Sequence, residues 1–449
     1  MSTPTRRRFI RIAIAGSICV LSAGTYGVLW AVLPKKPAEP MAPASADQIA
    51  LAKPLPYDPA CQITYVSDTA ALVADPQNPD NLAAAQIPWD DRWFLEDGTA
   101  YNHELACACM VLCAAVNSES AHYSGSDDEA PLYAEKALGQ LGFSNICSES
   151  FVSSSTAADE LANLVDDDTD EVAYVFARKD LPPSGDGEPD VLVFAGVRGT
   201  YGAEWISDLH VANPSELGSE EDHGGYSIAC VQMLSDLADY LDEQGLLQNP
   251  GRVKFLITGH SRGASVANLL ARDLLRPPEE GDAPARPQDV FAYTFAASPT
   301  TRSDTASNDE YRGIFNVVNP TDIVPKVPLV TWGYRCYGTE VELPGLDSPG
   351  YDEAYAAMQA RRAVNSGAIC TVPYEAGDVC PAQVCADELA ERIPTLEDLS
   401  SFDAAVQVVR TALGHDLSRI LISHYPDTYI AWMQTVDEGN LDLTAGADG

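Results

Sequence analysis

Ser261 sits in the pentapeptide Gly259-His260-Ser261-Arg262-Gly263. A serine hydroxyl is a weak nucleophile at neutral pH. It needs a base to take its proton, an acid to orient that base, and N–H donors for the oxyanion formed by attack. The local setting fits such a nucleophile. An apolar run (253–258) predicts a strand entering the turn, and 264–275 predicts a helix leaving it. A Gly-x-Ser-x-Gly between strand and helix is a nucleophile elbow, in which a Cβ on either side of the serine would clash with the crossing backbone. In elbows of this kind the acid and then the base follow the serine in the chain. Only His415 and His424 lie downstream. His415 falls inside a predicted amphipathic helix, where a satisfied core or surface histidine is the plainer reading. His424 falls where that helix stops, before Tyr425-Pro426, and is the favoured base. Among the acids Asp304, Asp309 and Asp322, the last directly follows an apolar strand, in Asn319-Pro320-Thr321-Asp322-Ile323-Val324-Pro325. Its plainer alternative is an Asx-turn or helix-cap aspartate. The oxyanion donors would be the backbone N–H of Arg262 and a group at an earlier strand end. Arg198-Gly199-Thr200 closes such a strand, and Thr200 offers both N–H and hydroxyl.

These residues need a scaffold. Strands are predicted at 172–177, 191–197, 253–258, 290–296 and 314–318, with helices at 103–118, 132–141 and 226–243. The strands are continuous apolar runs and alternate with helices. The expected fold class is therefore α/β, a central, mostly parallel sheet covered by helices on both faces. Residues 345–400 break the rhythm with Pro, Gly and three cysteines and read as an insertion or cap. A long helix is expected at 402–422, just before His424.

The whole chain has 449 residues and a net charge of −39, which argues against nucleic acid as a partner. The N-terminus is the exception. Residues 1–36 carry Arg6, Arg7, Arg8, Arg11, Lys35 and Lys36 and no acid, around an apolar run at 12–33. This is an export signal or a membrane anchor. Thr5-Arg6-Arg7-Arg8-Phe9-Ile10-Arg11 resembles the twin-arginine export motif; the alternative is an ordinary basic flank. Both place the rest of the chain outside the cytoplasm, membrane-tethered if the segment is uncleaved, secreted if it is cleaved. The expected organisation is a signal or anchor with its linker at 1–46, a linker or N-terminal extension at 47–86, and the catalytic domain at 87–449. Beyond Cys19, ten cysteines remain, an even number that suggests disulfides in an exported chain, with Cys380–Cys385 the best local pair. Export of a folded chain from a reducing compartment argues the other way for the buried helix bearing Cys107, Cys109 and Cys113. Neither a metal nor an organic cofactor is expected.

Five separated motifs resemble those of the class 3 (fungal-type) lipases, a branch of the α/β hydrolases. They are Val197-Arg198-Gly199-Thr200 with Glu204-Trp205-Ile206-Ser207-Asp208-Leu209; His223-Gly224-Gly225-Tyr226; the pentapeptide around Ser261; Asn319 to Pro325; and His424 with Tyr429. The resemblance spans Val197 to Tyr429, apart from 345–400. It implies an α/β-hydrolase fold and cleavage of carboxylic esters of lipids through an acyl-serine. It assigns Ser261 as nucleophile, Asp322 as acid, His424 as base, and Thr200 with Arg262 as oxyanion donors. It also implies that the segment after Thr200 acts as a lid, with Trp205, Ile206 and Leu209 facing substrate; a buried anchor for a surface loop is the alternative. Val197 stands where the family usually has Phe, which leaves the acyl pocket open. The competing functional readings are another hydrolase on the same elbow, a peptidase or polymer-ester hydrolase, and a non-catalytic surface-anchored module.

Overall fold

The computed structural model describes residues 41–73, 75–118, 133–152, 171–183, 189–199, 222–277, 284–395, 398, 411, 415 and 417–445. In chain order the elements are β1 (Met41–Pro43), α1 (Ala46–Ile49), β2 (Cys61–Val66), α2 (Asp68–Val73), β3 (Leu82–Ile87), α3 (His103–Asn117), α4 (Tyr133–Gln140), β4 (Ser144–Val152) and β5 (Glu171–Asp180). They continue with β6 (Val191–Val197), α5 (Gly224–Glu243), β7 (Val253–His260), α6 (Arg262–Leu275), β8 (Val290–Phe295), β9 (Ile314–Val318) and β10 (Thr339–Glu342). The last are α7 (Tyr351–Ser366), β11 (Ala368–Cys370), α8 (Pro381–Arg392), α9 (Leu417–His424), α10 (Pro426–Met433) and β12 (Asp442–Ala445).

Eight strands form the central sheet in the order β12-β10-β9-β8-β7-β6-β5-β4. From β6 to β10 every pair is parallel, and β4, β5 and β12 add antiparallel edges. Every residue of β6, β7, β8 and β9 is buried, as strands covered on both faces require. Side chains sort between the faces with the period of two. Leu192, Phe194 and Leu256 join one core with α3 and α10. Val191, Val193, Ala195, Val197, Phe255 and Ile257 join the other with α5 and α6. Helix α3 is apolar almost all round and buries His103 and Leu105 to Val116, which fits its place in the interior. Asn102 caps it, accepting the Leu105 N–H at 3.0 Å.

Several expectations need correction. Residues before 87 already carry packed regular structure. β2 and β3 pair antiparallel and bury Ile63, Tyr65, Ala83, Ala85 and Ile87 in the α3 core. The run 82–86 hides this because alanine is a poor strand former whose packing, not propensity, sets its place. The 345–400 stretch, expected as an insertion or cap, contributes to the main core. Tyr351, Tyr355 and Met358 of α7 pack into the same core beside Trp432. Among the described residues no cysteine is disulfide-bonded. Cys380 caps α8 and Cys385 lies inside it; five residues of helix turn their side chains roughly 140° apart around the axis, too far round to bridge. The helix expected at 402–422 lies mostly outside the described residues, and its end, α9, runs on to include His424.

Candidate active site

The elbow is built as steric demand requires. Ser261 links β7 to α6 with φ 58° and ψ −131°, a strained conformation for a residue with a side chain. Its N–H is held by Phe295 O at 2.9 Å. A Cβ on Gly259 would stand 2.4 Å from Gly263 O, and one on Gly263 would stand 2.5 Å from Val197 O. Glycine is therefore obligatory at both positions. A Cβ on Gly199 would meet His260 O at 2.5 Å, so the end of β6 also runs hard against the elbow. Arg262 opens α6, and its backbone N–H belongs to the first helical turn, where no intrahelical acceptor exists.

At the C-terminal ends of the parallel strands three side chains stand in line. His424 Nε2 is 2.9 Å from Ser261 Oγ, and His424 Nδ1 is 2.8 Å from Asp322 Oδ2. All three residues are buried, Asp322 completely. The carboxylate can only accept, so Nδ1 carries the hydrogen. Nε2 is then left with a lone pair facing the serine hydroxyl, the protonation state a general base needs. Asp322 follows β9 and is fixed on both oxygens. Oδ1 accepts the Val324 N–H at 3.0 Å, and Oδ2 also accepts the Tyr429 hydroxyl at 2.9 Å. The same hydroxyl accepts the Asn319 N–H at 3.0 Å. Asn319 reaches back to the base, its Nδ2 donating to Ser423 O at 3.0 Å.

His260, inside the pentapeptide, went unassigned in the sequence. Its ring lies 4.8 Å from that of His424, and its Nε2 donates to the His424 carbonyl at 2.9 Å. Burial and the neighbouring His424 hold His260 well below the usual imidazole range, so it stays neutral and adds no charge beside the base. The only sequence signal for it was a ring-bearing residue next to the serine. His223 is likewise buried, stacked on Tyr226 at 4.2 Å, and burial with the nearby Arg262 charge lowers it to about 4.

The alternatives to these residues are elsewhere. Asp304 and Asp309 are exposed in 3-10 turns. His415 lies 3.6 Å from Glu388. Thr200, Trp205, Ile206 and Leu209 fall outside the described residues, as does the twin-arginine-like segment. Among the described residues no cluster of His, Cys, Asp or Glu is arranged to hold a metal, and no helix is long and apolar enough to cross a membrane.

The model of the family Lipase (class 3) matches residues 194–332, a stretch that holds Ser261, Arg262 and Asp322 and ends before His424. Solved structures of fungal lipases are also similar. Rhizomucor miehei triacylglyceride lipase is 19% identical, with 54% of this chain and 82% of that chain covered and a TM-score of 0.37. Lipase II from Rhizopus niveus is 19% identical, covering 63% and 88%, at 0.37. The mono- and diacylglycerol lipase of Aspergillus oryzae is 19% identical, covering 56% and 82%, at 0.37.

Proposed function

We propose that the chain is a serine-dependent ester hydrolase of the class 3 lipase type, whose family model matches residues 194–332, and that it cleaves acyl esters of lipids with Ser261 as nucleophile, His424 as base and Asp322 as the acid that orients it. The observation that carries the roles is the continuous Ser261–His424–Asp322 hydrogen-bond line at the strand ends. In the first step Ser261 Oγ attacks the ester carbonyl while its proton passes to His424 Nε2. The oxyanion meets the Arg262 N–H, with Thr200 as its second donor. His424 then gives that proton to the departing alkoxide, leaving acyl-Ser261. Water, deprotonated by the same nitrogen, attacks the acyl carbonyl; the proton returns to Ser261 as the fatty acid leaves. Asp322 stays ionised throughout and keeps the imidazolium that forms in place. No step calls on a cofactor or a metal.

We also infer that the chain acts outside the cytoplasm. The support is the basic n-region and the apolar run at 12–33, with the twin-arginine-like residues 5–11. Trp205, Ile206 and Leu209 are our candidates for a substrate-facing flap, on their composition alone.

The test is hydrolysis of p-nitrophenyl acyl esters of graded chain length, beside an amide substrate and with Ser261→Ala as control. Ester cleavage lost in the variant, with fluorophosphonate labelling of Ser261 in the parent, is the expected result. A parent protein that neither turns over any ester nor takes the label would refute it.

A further inference from the structure

A second buried carboxylate lies three residues beyond the base and takes no part in the hydrogen-bond line. Asp427, in the first turn of α10, is 1% exposed. Its Oδ1 accepts from Ser67 Oγ at 2.8 Å and from the Tyr65 hydroxyl at 3.1 Å, and its Oδ2 accepts the Thr69 N–H at 3.2 Å. All three donors come from one corner, where β2 passes into α2. That corner is itself stiffened, since Ser67 Oγ also accepts the Ala70 N–H at 3.0 Å and Thr69 Oγ1 donates to Ser366 Oγ at 3.1 Å. The residue after Asp427 is tied as well, because Thr428 Oγ1 accepts from the buried Arg362 at 3.1 Å.

A carboxylate placed in an apolar interior is costly unless its acceptor sites are filled, and here they are filled by two hydroxyls and a main-chain N–H of the β2–α2 corner. What the arrangement achieves is positional. His424 closes α9 and Asp427 opens α10, so the turn between the two helices carries the base. On one side that turn is held through its own main chain, by His260 on His424 O and by Asn319 on Ser423 O. Asp427 supplies the tie on the other side. It also fixes the first turn of the helix that delivers Tyr429 to Asp322.

We propose that Asp427 is a positioning residue for the base, docking the His424 turn onto the Tyr65–Thr69 corner, so that this N-terminal corner is part of the catalytic scaffold. The inference rests on His424 being the base. Asp427 touches neither substrate nor reacting atoms, and its loss should misplace Nε2 without altering the binding surface.

The experiment uses the full chain carrying Asp427→Asn. The amide cannot accept on both sides and sets an N–H against one of the fixed donors. Steady-state kcat and KM on p-nitrophenyl butyrate, and the rate of fluorophosphonate labelling of Ser261, are read well below the melting temperature. The expected result is a kcat about tenfold lower with KM within twofold, and a labelling rate lowered in step. Ser67→Ala with Tyr65→Phe should produce a similar split and combine with Asp427→Asn less than multiplicatively, as members of one unit do. This pair also carries the test if Asp427→Asn does not fold. A folded Asp427→Asn with kcat within twofold of the parent overturns the proposal, as does a loss confined to melting temperature or a set of losses that simply multiply. His424→Ala separates the premise from the inference. If that variant keeps the activity, the assignment of the base has failed, whatever Asp427 does.

Discussion

Tyr429→Phe removes one oxygen and leaves the ring's packing intact, which makes its two effects separable. The hydroxyl donates to Asp322 Oδ2 at 2.9 Å and accepts the Asn319 N–H at 3.0 Å. Tyr429 is fully buried and Asn319 nearly so, and no water replaces the lost partner without a cavity to hold it. Stranding a buried N–H costs about 1–3 kcal/mol, and losing a hydrogen bond to an ionised carboxylate costs about 1.5–3 kcal/mol. Part of this returns as the variant no longer has to desolvate a hydroxyl, so the net loss of folding stability should be about 2–4 kcal/mol. Activity should suffer less. Asp322 retains the His424 Nδ1 contact at 2.8 Å and the Val324 N–H at 3.0 Å, so the base keeps its tautomer. Loss of the acid's charge in such an array costs about 10⁴ in kcat, whereas loosening one of its three supports should cost about tenfold. Urea unfolding gives the first quantity and ester hydrolysis at saturating substrate the second. Stability unchanged within about 0.5 kcal/mol would refute the hydrogen-bond argument. A kcat loss beyond about 10³ would refute the claim that His424 keeps its orientation without Tyr429.

Gly263→Ala should be far more damaging than a glycine-to-alanine change inside a helix, because the new methyl would stand 2.5 Å from Val197 O and 2.6 Å from Arg198 O, both main-chain atoms. We expect a loss of several kcal/mol and a collapse of soluble yield, checked by urea unfolding of whatever protein is recovered. Acid should weaken the fold through His223. Its folded value of about 4 lies below the ordinary 6.5, so as pH falls from 6.5 toward 4 the unfolded chain binds the proton first and stability drops, by about 3 kcal/mol at full extent. Asp68 works in the opposite sense. Burial and Asp427 push it up to about 7, and its contribution is lost as pH rises. The difference in the stability-versus-pH slope between parent and His223→Gln isolates the histidine, and equal slopes between pH 6.5 and 4.5 would count against the assignment.

The catalytic elements and their supports differ in how local their constraints are. Gly259, Ser261 and Gly263 are dictated by one crossing of strand and helix within a few residues, so their types and spacing are readable in the chain itself. Asp322 and His424 are readable because each stands at a boundary of regular structure, Asp322 beyond β9 and His424 at the last residue of α9, where a side chain can be presented to the sheet's C-terminal edge. The parallel strands were legible for a similar reason, since continuous apolar runs leave few other folds. By contrast, Asp427 meets Tyr65, Ser67 and Thr69 across 358 to 362 positions of sequence. None of those four residues carries a local mark, because serine, threonine and aspartate side by side read as turn residues. The corner they form was also concealed by the alanines of β3, whose burial comes from packing and leaves no strand signature. A residue that does chemistry must satisfy its own backbone first and so announces itself locally. One that holds such a residue needs only partners distant in the chain, as Asp427 has in Tyr65, Ser67 and Thr69. The Asp427 cluster is therefore visible only once the hairpin and the His424 turn stand together in three dimensions.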